Sequence, residues 1–262
     1  MAVPRIELQA HRRHRLLGVP ISVLSLPEVA RAVASGTSHD GGYVAVCNVH
    51  SVISASRDEE LRQALERAIV NTADGMPLVW ALRLLGYQSA THVYGQALME
   101  NLLASADLRR HYLVGSTDDV QRRLQARVRD RFPNAEVVGR WVPPFEIGVP
   151  ELPDRVRAEI VALRPDVVWV GLGCPRQEKW MARHWRALAP SVLIGVGAAF
   201  DFLAGTRPQA PHWMRRVGLE WLFRLATEPR RLVWRYLSTN PVFVWRMLVQ
   251  VVRENLTPSR RA

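Results

Sequence analysis

Asp74 is followed by Gly75-Met76-Pro77 and stands 26 residues after Asn48. A carboxylate beside a glycine and a helix-opening proline can cap that helix or stand in a cleft as a general base, and the spacing allows both. Asn48 could orient a hydroxyl beside it. Two glycine clusters offer a second kind of chemistry: Gly171-Leu172-Gly173-Cys174-Pro175-Arg176-Gln177-Glu178 and Gly195-Val196-Gly197-Ala198-Ala199-Phe200-Asp201. Each keeps the first two glycines of a dinucleotide fingerprint and has Arg176 or Phe200 in place of the third, which disfavours nicotinamide and flavin. Lys179 is the only lysine, so a phosphate-binding P-loop is excluded. What remains is a glycine turn whose N–H groups approach a phosphate or sugar at a helix N-terminus, or a plain tight turn.

These residues need elements to hold them. Residues 43–47 read as a buried strand, with Val52, Ala55, Leu61, Leu65 and Ala68 marking helical faces after it. A short strand follows at 69–70. The run 111–115 enters a helix capped by Thr117, with Asp118 and Asp119 in its first turn and Val120, Leu124 and Val128 on one face. Further strands are expected at 135–139, 166–171 and 191–196, with helices over 153–163 and 175–188. Strands alternating with helices imply a parallel sheet covered on both faces, a Rossmann-like α/β core. In such a sheet ligands bind outside the carboxyl ends of the strands, where Asn48, Asp74 and both glycine clusters fall. Beyond Asp201 the pattern becomes helices broken at prolines, over 213–226, 229–238 and 241–254. The expected division is therefore a core over 1–202 and a helical appendage over 203–262.

Composition narrows the classes. With 262 residues, 48% of them hydrophobic and 23% charged, the chain holds a full core without disulfides or structural metal. Its two cysteines, Cys47 and Cys174, form no zinc-type spacing. No apolar run reaches the roughly 18 residues of a spanning helix, and residues 1–15 lack a signal-peptide core, so a cytoplasmic protein is expected. The net charge of +11 is uneven: residues 203–262 carry 11 Arg against 3 Glu, and four of the nine Trp. Interleaved Arg and Trp suit nucleic acid, an anionic membrane surface or a phosphorylated ligand, or simply a solvated helical face.

Several separate blocks, in order from residue 43 to 236, resemble one family. They are Asn48 with Asp74-Gly75; Gly171-Leu172-Gly173-x-Pro175-x-Gln177-Glu178-x-Trp180; Gly195-Val196-Gly197 with Phe200-Asp201; Ala210-Pro211-x-Trp213; and Gly218-Leu219-Glu220-Trp221-x-x-Arg224-Leu225-x-x-Glu228-Pro229-x-Arg231. Together they resemble the WecG/TagA/CpsF glycosyltransferases. That resemblance implies a Rossmann-like inverting transferase moving a sugar from a UDP-sugar to a polyprenyl-diphosphate-linked sugar in bacterial surface-polysaccharide or exopolysaccharide assembly. It further implies a peripheral protein at the cytoplasmic face of the inner membrane, whose C-terminal appendage completes the active site.

By the same resemblance Asp74 is the catalytic base, and Asn48 and Gln177 are substrate-binding positions. Gly171, Gly173, Gly195, Gly197 and Asp201 join them as candidate substrate contacts. The sequence has no Asp-x-Asp to hold a nucleotide-bound divalent cation. No metal or other cofactor is therefore expected, and Arg224, Arg231 and Arg235 are expected to neutralise the diphosphate. Those three share a face if their stretch is continuous helix, which Pro229 can bend or restart.

Expected partners are a UDP-sugar, a lipid-linked acceptor and an anionic membrane, with no nucleic acid; a homo-oligomer stays open. Three departures bear on the donor. His92-Val93-Tyr94-Gly95-Gln96-Ala97 stands where the family commonly has Arg-x-x-Gly-x-Asp, Gln209 where Arg is usual, and Val46 where Thr is frequent. They point from an N-acetylmannosamine-type donor toward a neutral hexose such as glucose. The rival from another class is a nucleic-acid or membrane-surface binding module with an inactive α/β core.

Overall fold

Tyr43, Ala45 and Cys47 point to one side of a sheet and Val44 and Val46 to the other, and all five are buried. Both faces are thus covered, as a continuous apolar strand requires. The computed structural model describes residues 13–37, 40–144, 148–211, 214 and 218–256. An antiparallel hairpin opens it, β1 (Arg13–Leu16) with β2 (Val19–Ser22). The six-stranded parallel sheet that follows is built from β3 (Gly42–Cys47), β4 (Val70–Ala73), β5 (Arg110–Gly115), β6 (Glu136–Trp141), β7 (Val167–Gly171) and β8 (Val192–Gly195), in the order β4-β3-β8-β7-β5-β6. All six were expected, each within a few residues.

The helices are α1 (Leu26–Thr37), α2 (Val49–Ala55), α3 (Glu59–Arg67), α4 (Met76–Leu84), α5 (Gly95–Leu103), α6 (Asp118–Arg131), α7 (Asp154–Leu163), α8 (Arg176–His184), α9 (Ala199–Ala204), α10 (Glu220–Thr227) and α11 (Pro229–Leu256). α6 forms as its sequence dictates. The Thr117 hydroxyl accepts from Val120 N–H, acidic residues occupy the first turn, Arg129 and Arg131 the last, and Val120, Leu124 and Val128 are buried. The expected helix over 175–188 ends earlier, at His184, and continues as a 3-10 turn over Trp185–Leu188.

The C-terminal region departs from expectation at Pro241. Pro229 does restart the helix, after Thr227 and Glu228, but Pro241 lies inside α11, which runs on to Leu256. Proline removes one helical hydrogen bond. Burial on either side of it holds the helix together: Leu232, Thr239, Phe243 and Met247 are all buried, and Phe243 and Met247 join the cluster that contains Tyr43, Trp180 and Leu193. Arg246 Nη1 donates to Ser56 Oγ at 3.1 Å, and Gln250 accepts from Leu17 N–H at 2.9 Å while donating to the Arg15 carbonyl at 2.6 Å. The tail helix is packed onto the core along its length. Among the described residues no helix is long and apolar enough to cross a membrane.

Candidate active site

Four neighbouring strands in the order β4-β3-β8-β7 deliver Asp74, Asn48, Gly195 to Gly197, and Gly173 to one edge of the sheet. Asp74 N–H donates to the Cys47 carbonyl at 2.7 Å, which fixes the start of the Asp74 loop against the end of β3. Two adjoining cavities open there. One is lined by Asn48, His50, Asp74, His92, Trp221 and Tyr236, among others. The other is lined by Gly173, Gln177, Gly195, Gly197, Tyr94 and Gln96, among others. Asn48, Asp74, Glu220 and Arg224 belong to the walls of both.

The two readings open for Asp74 separate here. The residue capping α4 is Gly75, at φ 102°, with no side-chain hydrogen bond to the helix. Asp74 is thus not a cap; its carboxylate is partly exposed in the cavities, with His92 Nε2 3.7 Å from Oδ1. Asn48 is the residue that caps. Its Oδ1 accepts from Ser51 N–H at 3.2 Å, and Asn48 N–H donates to Ser51 Oγ at 3.4 Å, a reciprocal box that fixes the side chain at the cavity wall.

Gln177 sits in the first turn of α8 and is buried beneath the second glycine cluster. Its Oε1 accepts from Gly173 N–H at 3.2 Å and its Nε2 donates to Glu178 Oε1 at 3.0 Å. Gly195 is glycine for packing, because a Cβ there would stand 2.7 Å from Met181 Cε and 3.1 Å from Gln177 Nε2. Gly173 and Gly197 have positive φ, at 77° and 52°, and line the cavity.

Two of the expected contacts lie elsewhere. Gly171 is not among the described lining residues; a Cβ there would meet the Phe200 ring at 2.9 Å, so close packing accounts for it. Asp201 is also outside both walls. It pairs with Arg207 Nε at 3.4 Å, and Arg207 Nη1 reaches Glu228 Oε2 at 2.9 Å, so this carboxylate ties α9 to the end of α10.

Among the described residues, Arg224 is the expected arginine that reaches the site. It lines both cavities, lies with Cζ 5.7 Å from the Phe202 ring centroid, and has a buried Nε with no hydrogen-bond partner. Arg231 and Arg235 are placed on the first two turns of α11, but their side chains lie outside the described residues, as does Trp213.

Some wall residues carried no functional assignment from the sequence. His92, Tyr94, Glu220 and Tyr236 are polar wall residues that no spacing marks as functional, although His92 and Tyr94 lie in the 92–97 stretch that departs from the family pattern and Glu220 falls within one block of the resemblance. Gln96 and Gln209, both near the departures from the family pattern, exchange side-chain amide hydrogen bonds, one of them at 3.4 Å. Burial, with the nearby Glu178, Cys174 and Asp74 charges adding to it, pushes the Cys47 thiol well above its usual range, so it is no nucleophile here. Among the described residues no group of three His, Cys, Asp or Glu side chains is arranged to hold a metal ion.

A Bacillus subtilis (strain 168) N-acetylglucosaminyldiphosphoundecaprenol N-acetyl-beta-D-mannosaminyltransferase is 27% identical over 210 residues, 79% of either chain. The protein of the same name from Staphylococcus aureus (strain NCTC 8325 / PS 47) is 25% identical over 238 residues, covering 88% of this chain and 91% of its own. Residues 14–257, which include every residue that lines the two cavities, match the Glycosyl transferase WecG/TagA/CpsF family, and the chain belongs to it.

Proposed function

We propose that this protein is an inverting, UDP-sugar-dependent transferase that glycosylates a sugar carried on a polyprenyl diphosphate. The observation that carries the reading is that Asp74 and Arg224 each line both cavities. A group at that junction can serve donor and acceptor together. The glycine-lined cavity suits the nucleotide diphosphate, because it opens at the start of α8 and Arg224 stands in its wall. The cavity with Trp221 and Tyr236 suits the acceptor sugar.

In the reaction the acceptor hydroxyl oxygen bonds to the anomeric carbon as the bond from that carbon to the UDP oxygen breaks. The electron pair leaves with UDP, and the hydroxyl proton passes to Asp74. Arg224, with Arg231 and Arg235, offsets the charge developing on the diphosphate, and turnover proceeds without added metal.

Two donor sugars are carried by specific observations. The relatives' names carry N-acetylmannosamine. The departures from the family pattern at His92, Ala97 and Gln209 favour a hexose such as glucose as the second. The acceptor's lipid would keep the enzyme at the cytoplasmic face of the inner membrane, and α11 presents Trp234, Leu237, Trp245, Leu248 and Val252 as an exposed apolar row suited to lie there.

The test is a donor screen with purified protein, a short-chain lipid-diphosphate-GlcNAc acceptor, a panel of UDP-sugars and Asp74→Asn as control. Product with the wild-type protein alone supports the reading. Normal turnover by Asp74→Asn overturns the mechanism. No stabilisation by UDP, together with salt-dependent nucleic-acid binding, would favour a binding module.

A further inference from the structure

His92 is held opposite Asp74 by the backbone rather than by its own side chain. Val93 N–H donates to the Ala73 carbonyl at 3.1 Å, and the Val93 carbonyl accepts from Thr72 Oγ1 at 2.9 Å. The segment carrying His92 is thereby stitched to the last two residues of β4, immediately before Asp74. The Tyr94 ring lies 4.8 Å from the His92 ring at 35° and limits its tilt. Within this frame His92 Nε2 is buried and makes no hydrogen bond, and Asp74 Oδ1 is 3.7 Å away. That separation is too long for a hydrogen bond, but a side-chain rotation that moves either atom by about 0.8 Å closes it, and catalytic contacts commonly tighten only when substrate is bound.

We propose that His92 is the positioning residue for Asp74: its Nε2–H donates to Oδ1 when the acceptor enters, leaving Oδ2 turned to the attacking hydroxyl. The inference rests on the reading of Asp74 as the base. A carboxylate with no anchor rotates about its terminal bond, and only part of that range presents a lone pair along the hydroxyl O–H. A donor on one oxygen narrows the range. The other polar groups lining this cavity are Asn48, His50, Glu220, Arg224, Tyr236, Thr239 and Asn240; His92 is the side chain with an ion-pair distance to Asp74 among the described residues.

The experiment compares His92→Phe, His92→Gln and His92→Asn in the full-length protein, using the lipid acceptor and UDP-sugar of the donor screen. The Gln amide nitrogen superposes on Nε2, whereas that of Asn superposes on Nδ1. Expected is a fall in kcat of about 10- to 100-fold for Phe and Asn, with donor KM and thermal stabilisation by UDP unchanged, and recovery in Gln. Wild-type kcat in the Phe variant, a loss seen in KM or in UDP stabilisation, or equal behaviour of Gln and Asn would each overturn the proposal.

A second measurement does not depend on turnover. Nitrogen-15 spectra of histidine-labelled protein, with the His92 signal assigned from its loss in His92→Gln, should show the Nε2–H tautomer and a change in that signal in Asp74→Ala. An Nδ1–H tautomer, or a signal indifferent to Asp74→Ala, refutes the proposal even if no donor sugar is ever found. Failure of the functional reading appears instead as wild-type protein that forms no product.

Discussion

Gln250, near the end of α11, accepts the Leu17 N–H at 2.9 Å and so joins the tail of the chain to the turn of the first hairpin. Replacing it with Ala leaves that N–H and the Arg15 carbonyl without their partner. Gln250→Ala is expected to lower unfolding free energy by about 1 kcal/mol in urea denaturation, and to hasten proteolysis within 229–256. An unchanged urea midpoint would show that the latch contributes nothing.

Gly195→Ala and Gly173→Ala separate crowding from backbone conformation. At Gly195 the added methyl meets Met181 Cε at 2.7 Å and Gln177 Nε2 at 3.1 Å, so a loss of about 1–3 kcal/mol is expected together with weakened UDP stabilisation. At Gly173 no atom lies within 4 Å, but φ is 77°, so the cost is about 1 kcal/mol of backbone strain. Thermal melts with and without UDP check both, and an undisturbed Gly195→Ala protein would contradict the packing.

His111 is fully buried and accepts from Trp169 Nε1 through Nδ1 at 3.2 Å, an arrangement that requires a neutral ring. Burial lowers its pKa from 6.5 to about 4, against the opposing charge of Asp166. Below pH 6.5 the unfolded chain takes up a proton that the folded chain refuses. The stabilisation is therefore full above that pH and is lost as pH falls toward 4. Urea denaturation at pH 7.5 and pH 5 should differ by about 2 kcal/mol from this group, and His111→Asn should reduce the difference by about that amount. An identical pH slope in the variant would sink the assignment.

Arg224→Gln should weaken UDP binding by about 10- to 100-fold while leaving the melting temperature of the free protein nearly unchanged, because its Nε has no internal partner to lose. Arg224→Lys should recover only part, since an ammonium cannot bridge two oxygens as a guanidinium does. Titration calorimetry with UDP gives both numbers.

Trp234, Trp245 and Leu248 are 78%, 69% and 53% exposed on α11. Replacing all three with Ser should abolish sedimentation with anionic vesicles without lowering stability, because none of them supports the core. Retained sedimentation would mean that the basic residues suffice. Truncating the appendage is a poorer test, since Phe243 and Met247 belong to the interior cluster.

The parallel sheet was legible because apolar runs such as Val167–Gly171 and Val192–Gly195 alternate with helical stretches, even though β4 carries Asn71 and Thr72 and β6 carries Arg140. The hairpin was not: Arg13–Leu16 and Val19–Ser22 have four residues each, no alternation, and a Leu at φ 51° in their turn. Helices α1 and α5 were not expected: α1 ends in Ser35-Gly36-Thr37 and α5 opens on Gly95, residue types that also suit turns. At the site, residues at or soon after strand ends line the cavity because topology brings strand ends together whatever their neighbours. Asn48, Asp74, Gly173, Gln177, Gly195 and Gly197 are of that kind. Gly171 and Asp201 shared their motifs but face a phenyl ring and an arginine, a distinction that only packing reveals. His92 stands out in the sequence only as a departure from the family pattern, and Tyr236 enters from the tail helix with no motif of its own.

The walls around Asp74 draw on Asn48 and on Asn240 alike, so the pocket is shared between stretches of chain nearly 200 residues apart. During synthesis the sheet and its glycine turns emerge first, while α10 and α11 are still inside the ribosome. A nascent chain thus holds only part of this pocket's wall until α10 and α11 have docked.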